Sequence, residues 1–130
     1  MAILGKITAE VLVDGQALQE YEDDDMKKDD PKLAVKYIEA TSGANFHIRV
    51  SILGPFKITS DAISLEVHLD GIHVEDVTLD DDEIGMPSSS LCHLFQGLES
   101  EVDGEWFRQP FYFRDILLGM FVCLEKNIMV

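Results

Sequence analysis

The sequence predicts an all-β protein: a single antiparallel β-sandwich or jelly-roll-like domain with at most one short helix. Three observations predict it. Phe46, Ile48, Val50 and Ile52 alternate with His47, Arg49 and Ser51, and the same period of two returns as Ile63, Leu65, Val67 and Leu69 against Ser64, Glu66, His68 and Asp70. Asp14-Gly15 and Asp70-Gly71 supply the residues that accept positive φ in tight hairpin turns. Short strand-like runs separated by such turns, with little sustained helical periodicity, are the pattern of a sandwich.

Taken in order, Ile7, Ala9, Val11 and Val13 alternate with Thr8, Glu10 and Leu12, and a short return strand over Gln16 to Gln19 is expected after the Asp14-Gly15 turn. Glu20 to Lys32 holds seven acids, three lysines and one proline, too charged to bury, and reads as a surface loop. Leu33 to Ala40 returns to strand composition. The turn formers Thr41 to Ala44 predict that it pairs as a hairpin with the Phe46 strand. Gly54-Pro55 breaks that strand, because proline cannot donate to a ladder. The Ile63 strand runs to Asp70-Gly71, and Ile72 and Val74 are expected to continue its apolar face. A second acidic loop, with Asp80 to Glu83, Gly85 and Pro87, leads into Leu91 to Leu98. That segment fits one or two helical turns or an edge strand. Glu105 to Arg114 places Phe107, Phe111 and Phe113 on one face and Trp106, Arg108, Tyr112 and Arg114 on the other, and Pro110 argues for an edge or a bulge. Residues 1–130 read as one domain, since one core suffices for this length.

Charge narrows the function. A net charge of -15 and a pI near 4.3 disfavour nucleic acid and anionic membranes as partners, because like charges repel the phosphate backbone. Basic proteins, cations or no charged partner at all remain. No run reaches the length of a membrane span, and the start does not build the apolar core of a signal peptide. Cys92 and Cys123 form neither a disulfide framework nor a zinc spacing, so an intracellular protein, cytoplasmic or nuclear, is expected.

No catalytic constellation emerges. The sequence lacks GxSxG, GxGxxG and P-loop spacings, and Cys92-His93 are adjacent in the chain rather than brought together from separate elements. If Asp70-Gly71 is a two-residue turn, His68 lies opposite His73 and Glu66 opposite Glu75. This is a candidate metal patch, to be weighed against ordinary surface histidines on a hairpin that lack outer partners. The aspartate runs lack calcium-loop spacing. No cofactor is signalled. Trp106, Phe107, Phe111, Tyr112 and Phe113 put five of eleven aromatic residues within eight positions. They read either as a core strand with basic outer residues or as a partner-binding edge.

Tyr37 to Ala40, Ser42 to Ala44, Phe46, Ile48 to Val50, Asp61, Glu66-Val67 and Leu69 to Gly71 resemble an uncharacterised domain-of-unknown-function family widespread in filamentous fungi. Val13 to Gly15, Leu18, Glu20 and Tyr21 fit it too, as does Trp106 through Asp115. The resemblance covers residues 7–118 and implies kinship and fold, with no catalytic residue carried over. Beyond Leu118 the chain departs from that family. Gly119-Met120-Phe121 is encodable by codons containing a splice-donor-like motif, so residues 119–130 stand open to two readings: a native apolar strand or translation through a retained intron.

The expected function is a non-enzymatic interaction module. Its recognition surface would be the acidic loops at Glu20 to Asp30 and Glu75 to Glu83, with Asp23, Asp24, Asp25, Asp80, Asp81, Asp82 and Glu83 as the binding residues. Two alternatives stand beside it. One is an acidic histone-chaperone-like module, by fold analogy. The other is a metal-dependent hydrolase or dioxygenase on the His68, His73, Glu66 and Glu75 patch.

Overall fold

A computed structural model of the chain describes residues 2–4, 7–22, 33–53, 62–80, 91–114, 122–123 and 128–129. Among them every regular element is a strand and every pairing is antiparallel. The sheets do not close into a barrel.

The largest sheet is built on β2 (Ile7–Val13) and β6 (Asn45–Ile52), paired from Ile7↔Ile52 to Leu12↔His47. β1 (Ala2–Leu4) and β3 (Gln16–Ala17) both add to β2. The free edge of β6 receives two strands in succession. β9 (Leu91–Phe95) takes Ile48 to Ile52, and the end of β11 (Glu105–Tyr112) takes Asn45 and Phe46. Among the described residues β10 (Gly97–Val102) pairs only with β11. Two smaller sheets complete the fold. One joins β4 (Glu20–Tyr21), β5 (Tyr37–Ile38) and β12 (Val122–Cys123); the other joins β7 (Ala62–Leu69), β8 (Ile72–Asp80) and β13 (Ile128–Met129).

One hydrophobic cluster draws on all three sheets, as a sandwich requires. Ile7, Val11, Phe46, Ile48, Ile52, Phe95 and Phe111 come from the large sheet, and Ile38, Ile63, Leu65, Val67 and Leu79 from the small ones. The period of two in β6 and β7 therefore reads the core face correctly. Phe46 is central: its ring lies 5.5 Å from that of Phe111 and 4.4 Å from that of Phe113. β2 is buried on its second face as well, through Thr8 and Leu12. Cross-strand Glu10 and Arg49 form an ion pair at 2.9 Å on that side of the sheet.

Several local expectations are corrected. Leu33 to Ala40 does not fold back on the Phe46 strand: only Tyr37 and Ile38 are strand, and they pair with β4 and β12. The connection from Thr41 to Ala44 is held elsewhere. The Gly43 N–H donates to the Phe113 carbonyl and the Phe113 N–H to the Ala44 carbonyl, so the chain crosses from one sheet to another instead of closing a hairpin. Glu20 and Tyr21, read as loop, are strand, and Lys36 forms an ion pair with Glu22 beside them. The return strand after Asp14-Gly15 is two residues long, Gln16–Ala17. Leu91 to Leu98 is strand throughout except Gln96, which settles the alternative left open between helix and edge strand. Ile72 does not continue the core face and is 66% exposed. The two-residue strands β12 and β13 lie in the C-terminal segment 119–130.

Replacing Phe46 with alanine should cost about 3–5 kcal/mol, the usual effect of emptying a buried phenylalanine site. Phe107→Ala should cost under about 1 kcal/mol, because half of Phe107 is already in water. Urea unfolding of the two variants checks this, and similar losses would contradict the division of the aromatic strand into a core end and an exposed end.

Candidate interaction surface

The surface begins at a third Asp-Gly pair. Asp103 and Gly104 have φ of 53° and 79°, matching Asp14-Gly15 and Asp70-Gly71, so all three are two-residue turns with positive φ at both central positions. The turn fixes the register of β10 on β11, from Val102↔Glu105 to Gly97↔Pro110. Glu99, Glu101, Trp106 and Arg108 then share one face, and Leu98, Ser100, Val102, Phe107 and Gln109 the other. Residues 98–110 are all exposed, whereas Phe111 and Phe113 are buried. The hairpin thus leaves the sandwich at its base. Trp106 is 71% exposed, and Phe107, Val102 and Leu98 stand in solvent with it.

Three contacts hold this arm. The Gly97 position lies against β11 so closely that a Cβ there would sit 2.3 Å from the Gln109 carbonyl oxygen, which only glycine avoids. Arg108 is clamped by Glu99, at 2.8 Å, and by the Gln96 side-chain oxygen. On the other edge the Glu99 N–H donates to Glu75 Oε2 of β8 at 2.9 Å. A carboxylate therefore occupies a main-chain donor that an edge strand would otherwise leave open. Arg108 is the sole cation of residues 97–109, against Glu99, Glu101, Asp103 and Glu105. With Arg108 neutralised by Glu99, a shallow pocket lined by Glu99, Trp106, Phe107 and Arg108 lies in a net acidic field.

The residues singled out from sequence are placed as follows. His68 does face His73, with ring centroids 5.3 Å apart, and Leu69 pairs with Ile72 as the turn requires. Glu66 does not face Glu75. A β-bulge between these pairs sets Val67 against Glu75 and Glu66 against Asp76, because β8 carries one extra residue at Val74. His68 Nε2 then meets Glu66 Oε2 at 3.1 Å, while His73 Nε2 meets Asp76 Oδ2 at 3.3 Å. Glu75 turns away to serve the arm. Among the described residues no group of three or more His, Cys, Asp or Glu side chains is arranged to hold a metal ion. Asp23, Asp24, Asp25, Asp81, Asp82 and Glu83 lie outside the described residues; Asp80 ends β8, opposite Ala62. Cys92 and His93 point to opposite faces of β9: the Cys92 thiol is 3.7 Å from the Ser51 hydroxyl, and the His93 ring packs edge-on to Phe95 at 4.5 Å.

Sequence reasoning noticed the aromatic strand but not its hairpin partner. The signal was present in Asp103-Gly104, between Leu98, Ser100 and Val102 on one side and Phe107 and Gln109 on the other.

These features define an all-β, antiparallel, sandwich-like protein with a solvent-facing aromatic hairpin. Among the described residues no helix is long and apolar enough to cross a membrane. Residues 6–119 match a family described as a domain of unknown function, DUF7918, and the chain belongs to that family. No curated protein and no solved structure matches the chain.

Gly97→Ala should loosen the base of the arm, since either the Gln109 carbonyl or the strand itself must move to admit the methyl group. Limited proteolysis should then cut within residues 97–112 faster than in the parent chain, and unchanged cleavage would show that the close approach does not hold the arm.

Proposed function

We propose that this chain is a non-enzymatic interaction module that binds a basic protein segment through the β10–β11 hairpin. The acidic runs of the sequence from Glu20 to Asp30 and from Glu75 to Glu83 supply a long-range attractive field. The observation that carries this reading is Trp106, largely exposed and directly opposite Glu101 on an arm whose remaining charge is acidic. Burying so large an apolar side chain would have stabilised the fold, and tryptophan is a frequent anchor of binding surfaces. A lysine or arginine placed over the indole gains a cation–π interaction, and Glu101 beside it offers a counter-charge. The net charge of -15 favours approach of a cationic partner and disfavours nucleic acid and anionic lipid.

Trp106 is the sole tryptophan, so its fluorescence reports directly on occupancy. Titration with a lysine- and arginine-rich peptide at low salt should change the emission saturably. Trp106→Ala, followed by calorimetry, should weaken binding about tenfold. Raising salt to about 0.5 M should weaken it further, as screened charges require. A chain that ignores the peptide at low salt would end this reading.

A further inference from the structure

We propose that the basic segment binds as an added β-strand along the outer edge of β11, beside Trp106 and Arg108; this rests on the interaction function above and specifies its mode.

The register identifies which main-chain groups are unspent. In a two-residue hairpin the residues flanking the turn exchange hydrogen bonds, so Val102↔Glu105, Ser100↔Phe107 and Leu98↔Gln109 are the bonded pairs. The alternate residues, Glu99 and Glu101 on β10 and Trp106 and Arg108 on β11, turn their N–H and C=O groups outward. The Glu99 contact to Glu75 bears this out, since that N–H does point away from β11. The two outer edges then differ. On the β10 edge the Glu99 N–H is taken by the Glu75 carboxylate. Among the described residues nothing pairs with the outer edge of β11 from Glu105 to Pro110, and β6 joins this strand only beyond them, at Phe111 and Tyr112. Pro110 shares that outer edge but has no N–H to offer a partner, so the open donors there are those of Trp106 and Arg108.

Charge selects the occupant. A strand laid beside β11 sets alternate side chains next to Trp106 and Arg108 on one face and next to Glu105 and Phe107 on the other. Arg108 is already matched by Glu99, so the open charges are Glu101 beneath Trp106, Glu105 and Asp103. Cations beside Trp106 and Glu105, with an apolar residue beside Phe107, fit this edge. A second copy of the chain would instead bring like carboxylates together.

The probe is a short peptide in which lysine alternates with threonine and valine, together with two analogues N-methylated on alternate residues in opposite phases. Each phase removes the donors from one edge of the extended peptide while leaving its charge intact. Strand addition predicts that one analogue binds within about twofold of the parent and the other loses about tenfold or more, the equivalent of one or two hydrogen bonds. Amide exchange at Trp106 and Arg108 should slow in the complex, and that at Glu101 should not. Two analogues that bind equally well, with no protection at Trp106 and Arg108, would overturn strand addition and leave the basic-partner function standing. A chain that binds none of the three at low salt loses both. A peptide-free dimer by sedimentation, dissociated by Trp106→Lys, would make a second copy the occupant and overturn the inference.

Discussion

The edge of β6 can hydrogen-bond only one neighbour at each residue, and the rest of the architecture follows from how that edge is shared. β9 occupies it from Ile48 to Ile52 and the end of β11 occupies Asn45 and Phe46. The chain between these two docking points has no place left on the sheet. It must leave at Gln96-Gly97, turn at Asp103-Gly104 and return at Pro110, which is why the β10–β11 hairpin stands away from the core. The bend depends on a residue without a side chain at position 97, where a Cβ would run into the Gln109 carbonyl.

That sharing also divides one aromatic strand into two parts with different work. Phe111, with Phe113 just beyond the strand, stacks on Phe46 and closes the core. Phe107 and Trp106 belong to the same alternation but lie past the point where any second layer covers them. Period-two patterning fixes which face a side chain occupies, yet the depth of its burial depends on whether another sheet lies opposite.

The histidine pair on β7 and β8 shows how a single extra residue redirects chemistry. The Asp70-Gly71 turn sets His68 against His73 as simple pairing requires. One bulge residue later the alternation has shifted, so Asp76 replaces Glu75 beside the histidines and Glu75 reaches the arm instead. The carboxylate that had been counted toward a metal patch thus accepts the outward Glu99 N–H of β10. Acidic side chains on this protein differ in role according to such placement, from the Glu10–Arg49 pair on the sheet to Glu101 beside an exposed indole.

The sequence by itself determined the class of fold, the core faces of β6 and β7, two of the three tight turns and the acidic character of the surface. These are local properties: alternation follows from strand geometry, Asp-Gly turns from the few residues that accept positive φ, and charge from composition. Tertiary structure alone decided that Tyr37 and Ile38 join β4 and β12 rather than β6, that β8 carries a bulge, and that the aromatic strand leaves the sandwich. Each of these depends on which strand reaches a shared edge. That outcome is set by long-range packing and by hydrogen bonds such as those between Phe113 and Gly43 and Ala44, which no short window of sequence contains.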